Sequence, residues 1–175
     1  MTAQAHNPAA TSSMDPAPPS PVDPAHAMIM EMLEQTSWAN EFDHRHLELF
    51  ARHMRVMYAD TGVLVFSEGE RDHFLAILVD GKIDILKEDS NGAQHVVITL
   101  NRGKTFGELS LLDGGPRSST AIAREDCTLL VLDEDALDDL QDAQPGLAAR
   151  ILRVLARLLS QRLRMTSGRL VDHLE

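Results

Sequence analysis

One stretch of the sequence, residues 106–121, combines residue types that together could bind a sugar phosphate. Gly107 lets the backbone approach a ligand closely, and residues 108–112 are long enough for one helical turn whose free N–H groups could hold an anion. Arg117 follows a short glycine-rich loop and can offer bidentate hydrogen bonds to a phosphate, while Ser118 adds a hydroxyl. The spacing therefore predicts an anion site formed where a backbone turn and an arginine meet.

Glu108 lies inside the same stretch and has the wrong charge for direct contact with a phosphate. Its carboxylate would instead accept hydrogen bonds from a sugar hydroxyl or form an ion pair with Arg117. The first arrangement predicts a site for a sugar phosphate that carries a single negative charge. The second predicts a structural ion pair at a corner of a β-barrel, with no ligand. The residues alone leave both arrangements open.

Short β-type runs surround this stretch, and helical segments flank them on both sides. Apolar spacing predicts helices over 26–40 and 43–54, with Asp43 as the N-cap of the second. Turns such as Asp89–Gly92 separate the β-type runs, which occupy 63–66, 74–79, 83–87, 95–100, 120–123 and 128–132. Seven or eight short strands at this spacing are typical of an antiparallel barrel or jelly roll.

The C-terminal segment, 133–175, is predicted to form lid and dimerisation helices. A short helix ends near Ala143, Pro145 and Gly146 interrupt the pattern, and a long helix covers 147–170. The apolar face of the long helix is wider than a single packing seam needs. We therefore expect this helix to pack on the barrel and on a second copy of the chain. Packing on its own barrel alone is the alternative.

Composition limits the classes of function that remain. Residues 1–25 hold six of the eight prolines and no aromatic residue, which predicts a disordered tail. The net charge of −11 argues against binding nucleic acid through the whole surface. No apolar run approaches the roughly 20 residues that span a bilayer, and the single cysteine, Cys127, excludes an internal disulfide. We therefore expect a cytoplasmic protein.

The stretch at 106–121 is similar to the phosphate-binding cassette of the cyclic nucleotide-binding domain family, which includes cyclic AMP receptor proteins and protein kinase A regulatory subunits. The shared pattern is Phe-Gly-Glu, a small apolar turn, a short linker, and Pro-Arg followed by small hydroxyl residues. The resemblance extends over residues 40–165. It implies an α+β fold: an eight-stranded antiparallel β-roll over 55–132, with N-terminal helices over 26–54 and a long C-terminal helix.

The resemblance also implies roles for individual side chains. Glu108 would bind a ribose 2′-hydroxyl, Arg117 would pair with a cyclic phosphate, and Ser118 would contact the phosphate or the base edge. The C-terminal helix around Leu158–Arg162 would cover the base. The full set of implied contact residues is Phe106, Gly107, Glu108, Leu109, Ser110, Arg117, Ser118 and Ser119.

These features predict a non-enzymatic, stand-alone, bacterial-type sensor of a cyclic nucleotide, with cyclic AMP favoured over cyclic GMP and no metal. It would act on an unknown effector protein through movement of the helix at 147–170, which could also form a homodimer. A helix-turn-helix and a membrane span are not visible in the sequence, so no DNA or membrane partner is expected. Two alternatives remain: a ligand-free β-roll scaffold, and a metal-dependent β-roll enzyme suggested by His44 and His46.

Overall fold

The computed structural model describes residues 23–172, so most of the predicted tail at 1–25 lies outside the described residues. The chain begins with helix α1 (Pro24–Glu34), a 3₁₀ helix (Ser37–Glu41) and helix α2 (His44–Ala51). Asp43 caps α2 as predicted, because its side chain accepts a hydrogen bond from the His46 N–H at 2.9 Å.

The predicted helix over 26–40 is divided in two. Thr36 separates α1 from the 3₁₀ helix: its hydroxyl donates to the Leu33 carbonyl at 2.7 Å and accepts from the Trp38 N–H at 3.3 Å. A threonine that satisfies both neighbouring backbone groups ends one helix and starts the next, which apolar spacing alone does not reveal.

Between residues 23 and 172, eight strands form two four-stranded antiparallel sheets, which confirms the predicted α+β β-roll. The order is β1-β8-β3-β6 in the first sheet and β2-β7-β4-β5 in the second. The strands are β1 (Arg55–Ala59), β2 (Leu64–Phe66), β3 (Phe74–Asp80), β4 (Lys82–Glu88), β5 (Gln94–Asn101), β6 (Thr105–Phe106), β7 (Thr120–Ala123) and β8 (Cys127–Asp133).

Strand β3 lies between two separate hydrophobic cores, which is why six of its seven residues are buried. Leu75 and Ile77 point toward the helices, where they pack with residues of α1, α2, α4 and α5. Ala76 and Leu78 point the other way, into the space between the two sheets. The alternation of a strand's side chains thus places the first sheet between the helical layer and the second sheet.

The remaining helices of the described residues are α3 (Glu108–Asp113), which interrupts the strands, and α4 (Glu134–Ala143) and α5 (Pro145–Asp172), which follow them. The predicted single helical turn after Gly107 is thereby confirmed. Pro145 is the first residue of α5 rather than part of a break before it, because a proline at this position has no N–H to leave unpaired.

Helix α5 changes surroundings along its length. Its first half is buried in the helical core through Leu147, Ile151 and Leu155. Its second half leaves the core, and there Leu163 is 68% and Met165 is 61% exposed. Within residues 23–172, no helix is long and apolar enough to cross a membrane.

We expect Ile151→Ala to lower the free energy of unfolding by about 2–5 kcal/mol, since it leaves a cavity at a fully buried position of α5. The matched control is Leu163→Ala, which removes an exposed side chain from the same helix and should cost no more than about 0.5 kcal/mol. Urea unfolding at low protein concentration measures both. Equal losses in the two variants would contradict the assignment of the core-facing half of α5.

Candidate functional site

A cavity of about 440 Å³ lies between the second sheet, α3 and the second half of α5. This volume is within the range of pockets that hold small organic ligands. All eight contact residues expected from the sequence line it. The other lining residues are Phe66, Ile85, Val97, Ile98, Thr99, Leu100, Asn101, Lys104, Arg162, Met165 and Thr166.

Arg117 is held in the cavity wall by its backbone and by two aromatic rings. Its N–H donates to the Glu70 carbonyl and its carbonyl accepts from the Gly69 N–H, each at 2.8 Å. The guanidinium carbon lies 4.1 Å from the ring centroids of both Phe66 and Phe74. Because backbone and side chain are both fixed, the direction of the guanidinium is set before any ligand arrives.

The guanidinium of Arg117 is buried and most of its donors are engaged. Nε donates to Asp72 Oδ1 at 2.8 Å. The two hydrogens of Nη1 are shared among three acceptors: the Phe74 carbonyl at 2.7 Å, the Gly107 carbonyl at 2.8 Å and Ser110 Oγ at 2.7 Å. Nη2 is buried and has no hydrogen-bond partner within the described part of the chain. Arg117, a residue that lines the cavity, therefore has two N–H donors, those of Nη2, without an acceptor among residues 23–172.

Glu108, the first residue of α3, is the buried acid of the site; its side chain is 4% exposed. Its Oε1 accepts a hydrogen bond from Arg162 Nη1, and Arg162 Nη2 donates to the Thr105 carbonyl. Oε2 is buried without a partner among residues 23–172. The alternative in which Glu108 pairs with Arg117 is wrong, because their charged partners are Arg162 and Asp72.

Gly107 is required by contacts inside the protein. Its φ is +77°, a conformation that L side chains rarely adopt. A Cβ atom added there would lie 2.8 Å from Arg117 Nη1 and 2.9 Å from the Phe74 carbonyl oxygen. The residue expected to admit a ligand thus also admits the guanidinium that lines the cavity.

The remaining expected residues lie around Arg117 at the cavity surface. Ser118 and Ser119 line the cavity, and the Ser118 carbonyl accepts a hydrogen bond from Lys87 Nζ at 2.7 Å. The same lysine bonds to Glu68, and this contact holds the pKa of the Glu68 carboxyl below its usual value. Strand β4 thereby fixes the loop that follows the arginine.

The cavity wall on α5 lies further along the helix than expected. Arg162, Met165 and Thr166 line the cavity, whereas Leu158 packs against the helical core. Met165, Thr166 and Asp72 are residues of the site that sequence reasoning missed. The position of Asp72 before a buried β-type run gives no local sign that it meets an arginine 45 residues away.

Strand β5 forms the outer wall of the cavity and is the edge strand of the second sheet. Its pairing with β4 shifts between Ile98 and Val96, so Val97 is an extra residue in a β-bulge. Val97 and Ile98 both line the cavity.

The metal alternative lacks a ligand cluster in the described part of the chain, where no group of three or more His, Cys, Asp or Glu side chains could hold an ion. His46 instead bonds through Nδ1 to Asp43 Oδ2 at 2.6 Å, at the start of α2. Cys127 is buried, and burial raises the pKa of its thiol.

Comparison with known proteins identifies a family and relatives that the sequence of this chain resembles. The sequence pattern of the family described as "Cyclic nucleotide-binding domain" matches residues 57–144, half of the chain. A "CRP-like cAMP-activated global transcriptional regulator" of Mycobacterium tuberculosis is 36% identical over 111 residues, covering 63% of this chain and 48% of the relative. A "Cyclic AMP receptor protein" of Thermus thermophilus is 33% identical over 100 residues, covering 57% of this chain and 46% of the relative. The chain thus spans about half the length of these curated relatives.

Solved structures share the fold. A cyclic nucleotide-binding domain from Methylobacillus flagellatus superposes with a TM-score of 0.73, covering 84% of this chain and 83% of that chain; at 24% identity it supports the fold alone. The Thermus thermophilus catabolite activator protein has a TM-score of 0.65 at 29% identity, covering 74% of this chain and 59% of that chain.

We expect Gly107→Ala to destabilise the protein more than Gly114→Ala. Both glycines have a positive φ, so each substitution should cost about 1–2 kcal/mol in backbone conformation. Of these two glycines, only Gly107 has atoms within 4 Å of an added Cβ, and the nearest belong to Arg117, Phe74 and Phe66. Thermal unfolding of the two variants provides the comparison. Equal destabilisation would show that the arginine is not packed against this glycine.

Proposed function

Because the chain belongs to the family of cyclic nucleotide-binding domains, we propose that it is a sensor that binds a cyclic nucleotide and signals through α5. The observation that carries this proposal is that two residues lining one cavity each have a buried polar atom without a hydrogen-bond partner in the described part of the chain: Glu108 Oε2 and Arg117 Nη2. A buried polar group without a hydrogen bond costs about 1–3 kcal/mol, and more when the group is charged. The cavity therefore favours a ligand that brings a donor for one atom and an acceptor for the other.

The residues present fit a ribose cyclic phosphate. Glu108 Oε2 would accept a hydrogen bond from the ribose 2′-hydroxyl, and Arg117 Nη2 would donate to a phosphate oxygen. Asp72 already balances the charge of Arg117, so the site suits a ligand with one negative charge better than one with several. Ser118 and Ser119 would add hydroxyls beside the arginine.

We favour cyclic AMP over cyclic GMP as the ligand. The two bacterial relatives named above are described by their response to cyclic AMP. The outer wall of the cavity, with Val97, Ile98 and Met165, is apolar and suits adenine, which carries fewer polar edge groups than guanine. Ser118 is the feature that favours cyclic GMP, since its hydroxyl could receive the guanine amino group.

The contact between Glu108 and Arg162 links the cavity to α5. The first half of α5 is anchored in the helical core, whereas its second half reaches the cavity through polar contacts made by Arg162. A change in the hydrogen bonding of Glu108 would therefore shift the equilibrium between two positions of the second half of α5. Such a shift requires that the ligand bind the two positions with different affinity.

The exposed half of α5 is also the proposed contact surface. Leu163 and Met165 are exposed there, which suits an effector protein or a second copy of the chain. We propose a non-catalytic cytoplasmic module that uses no metal and binds neither DNA nor membrane. The alternative is a ligand-free scaffold with the same fold.

We expect Glu108→Gln to weaken cyclic AMP binding by about tenfold or more, because a charge-assisted hydrogen bond to the ribose is worth about 1.5–3 kcal/mol. With 2′-deoxy-cyclic AMP the same substitution should have little effect, since that ligand lacks the donor. Glu41→Gln is the matched control, because Glu41 also pairs with an arginine of α5, Arg157, but does not line the cavity. Equal losses with both nucleotides would contradict the role given to Glu108.

Calorimetric titration with cyclic AMP and cyclic GMP tests the ligand itself. We expect cyclic AMP to bind more tightly and Arg117→Ala to weaken binding by about ten- to a hundredfold. Because Arg117 also packs between two phenylalanines, Arg117→Lys is the second variant; it keeps the charge but lacks the two-pronged guanidinium. Emission from Trp38, the single tryptophan, checks that each protein is folded. Folded wild-type protein that binds neither nucleotide would leave the scaffold alternative.

A further inference from the structure

The side chains of residues 72–74, at the start of β3, point to opposite sides of the chain. Asp72 and Phe74 both contact Arg117: Asp72 through its carboxylate, and Phe74 through its carbonyl and its ring. His73 lies between them and faces the start of α4. The alternation of an extended segment therefore connects the cavity arginine on one side with a helix on the other.

His73 contacts the first residue of α4 twice. Its ring Nδ1 lies 2.8 Å from Glu134 Oε2, and its carbonyl accepts a hydrogen bond from the Glu134 N–H at 3.0 Å. The side chain is 18% exposed, and its Nε2 is buried without a partner in the described part of the chain. The imidazole is thus held at α4 by Glu134.

Helix α4 is in turn joined to α5. Leu137 and Leu140 pack in the same core as Leu147 and Ile151. Gln144 alone separates the two helices in sequence, and its N–H donates to the Leu140 carbonyl at 2.8 Å. A displacement of the first turn of α4 would therefore change the packing of the anchored half of α5.

We propose that His73 is a positioning residue that transmits the occupancy of Arg117 to α4 through its contact with Glu134. This inference rests on the proposed nucleotide binding at Arg117. Asp72 bonds to Nε and an anion would bond to Nη2 of the same guanidinium, so a filled cavity brings a second negative charge beside the Asp72 carboxylate and weakens the hold of Arg117 on residues 72–74. Because residues 72 and 73 share a peptide unit, the change reaches His73 and Glu134. The route through Arg162 acts on the other half of α5 and is separate from this one.

Amide hydrogen exchange of the full chain, with and without saturating cyclic AMP, tests the coupling. In the wild-type protein we expect the nucleotide to change exchange in α4, residues 134–143. His73→Ala should still bind cyclic AMP but lose most of the change in α4. His73→Asn should restore the change, because the asparagine amide nitrogen takes a position close to that of Nδ1.

Two further variants separate this coupling from a general effect on stability. Glu134→Gln weakens the same contact from the α4 side and should reduce the response of α4. His95→Ala is the matched control, since His95 also bonds to an acidic side chain, Asp89 at 2.9 Å, but lies in the β4–β5 hairpin; it should leave the response intact. An α4 that responds equally in wild type and His73→Ala, or one that does not respond to bound nucleotide in wild type, overturns the inference. Absence of nucleotide binding by the wild type overturns the proposed function and this coupling with it.

Discussion

A buried guanidinium is the constraint on which the site depends. A charge removed from water must be paired and hydrogen-bonded to be tolerated, and the partners of Arg117 come from several parts of the chain. The turn at 67–70 holds its backbone, Asp72 and Phe74 hold its side chain, and the start of α3 supplies a carbonyl and a hydroxyl. Each of these segments is positioned by the need to satisfy the same group.

The carboxylate of Glu108 is buried, but its ion-pair partner is not. Glu108 accepts a hydrogen bond from an arginine of α5 at one oxygen, and its other oxygen is buried without a partner among residues 23–172. The arginine is itself partly exposed, with 39% of its side chain accessible. An ion pair between one buried and one accessible partner is easier to exchange than a fully enclosed pair, which suits the proposed role of α5 in signalling.

The sequence predicted the contiguous parts of the site and missed two pairings between residues that lie far apart in the chain. Residues 106–110 and 117–119 could be identified because their chemistry and spacing lie within one short stretch. The partners Asp72 and Arg162 lie 45 and 54 residues from the groups they bind, and no local pattern connects them. Strand β6 has two residues, too few for an alternating pattern. Strand β1 pairs with β8, but most of its residues are exposed or half-buried, so its sequence lacks a clear apolar alternation.

The bulged edge strand β5 affects which substitutions the cavity wall could accept during evolution. In the second sheet β5 pairs with β4 alone, so its outer side is not fixed by another strand of that sheet. Val97 and Ile98 are exposed and belong to neither hydrophobic core. Substitutions there would reshape one wall of the cavity at little cost to stability. The outer wall of the cavity can therefore vary while Arg117 and Glu108 stay in place.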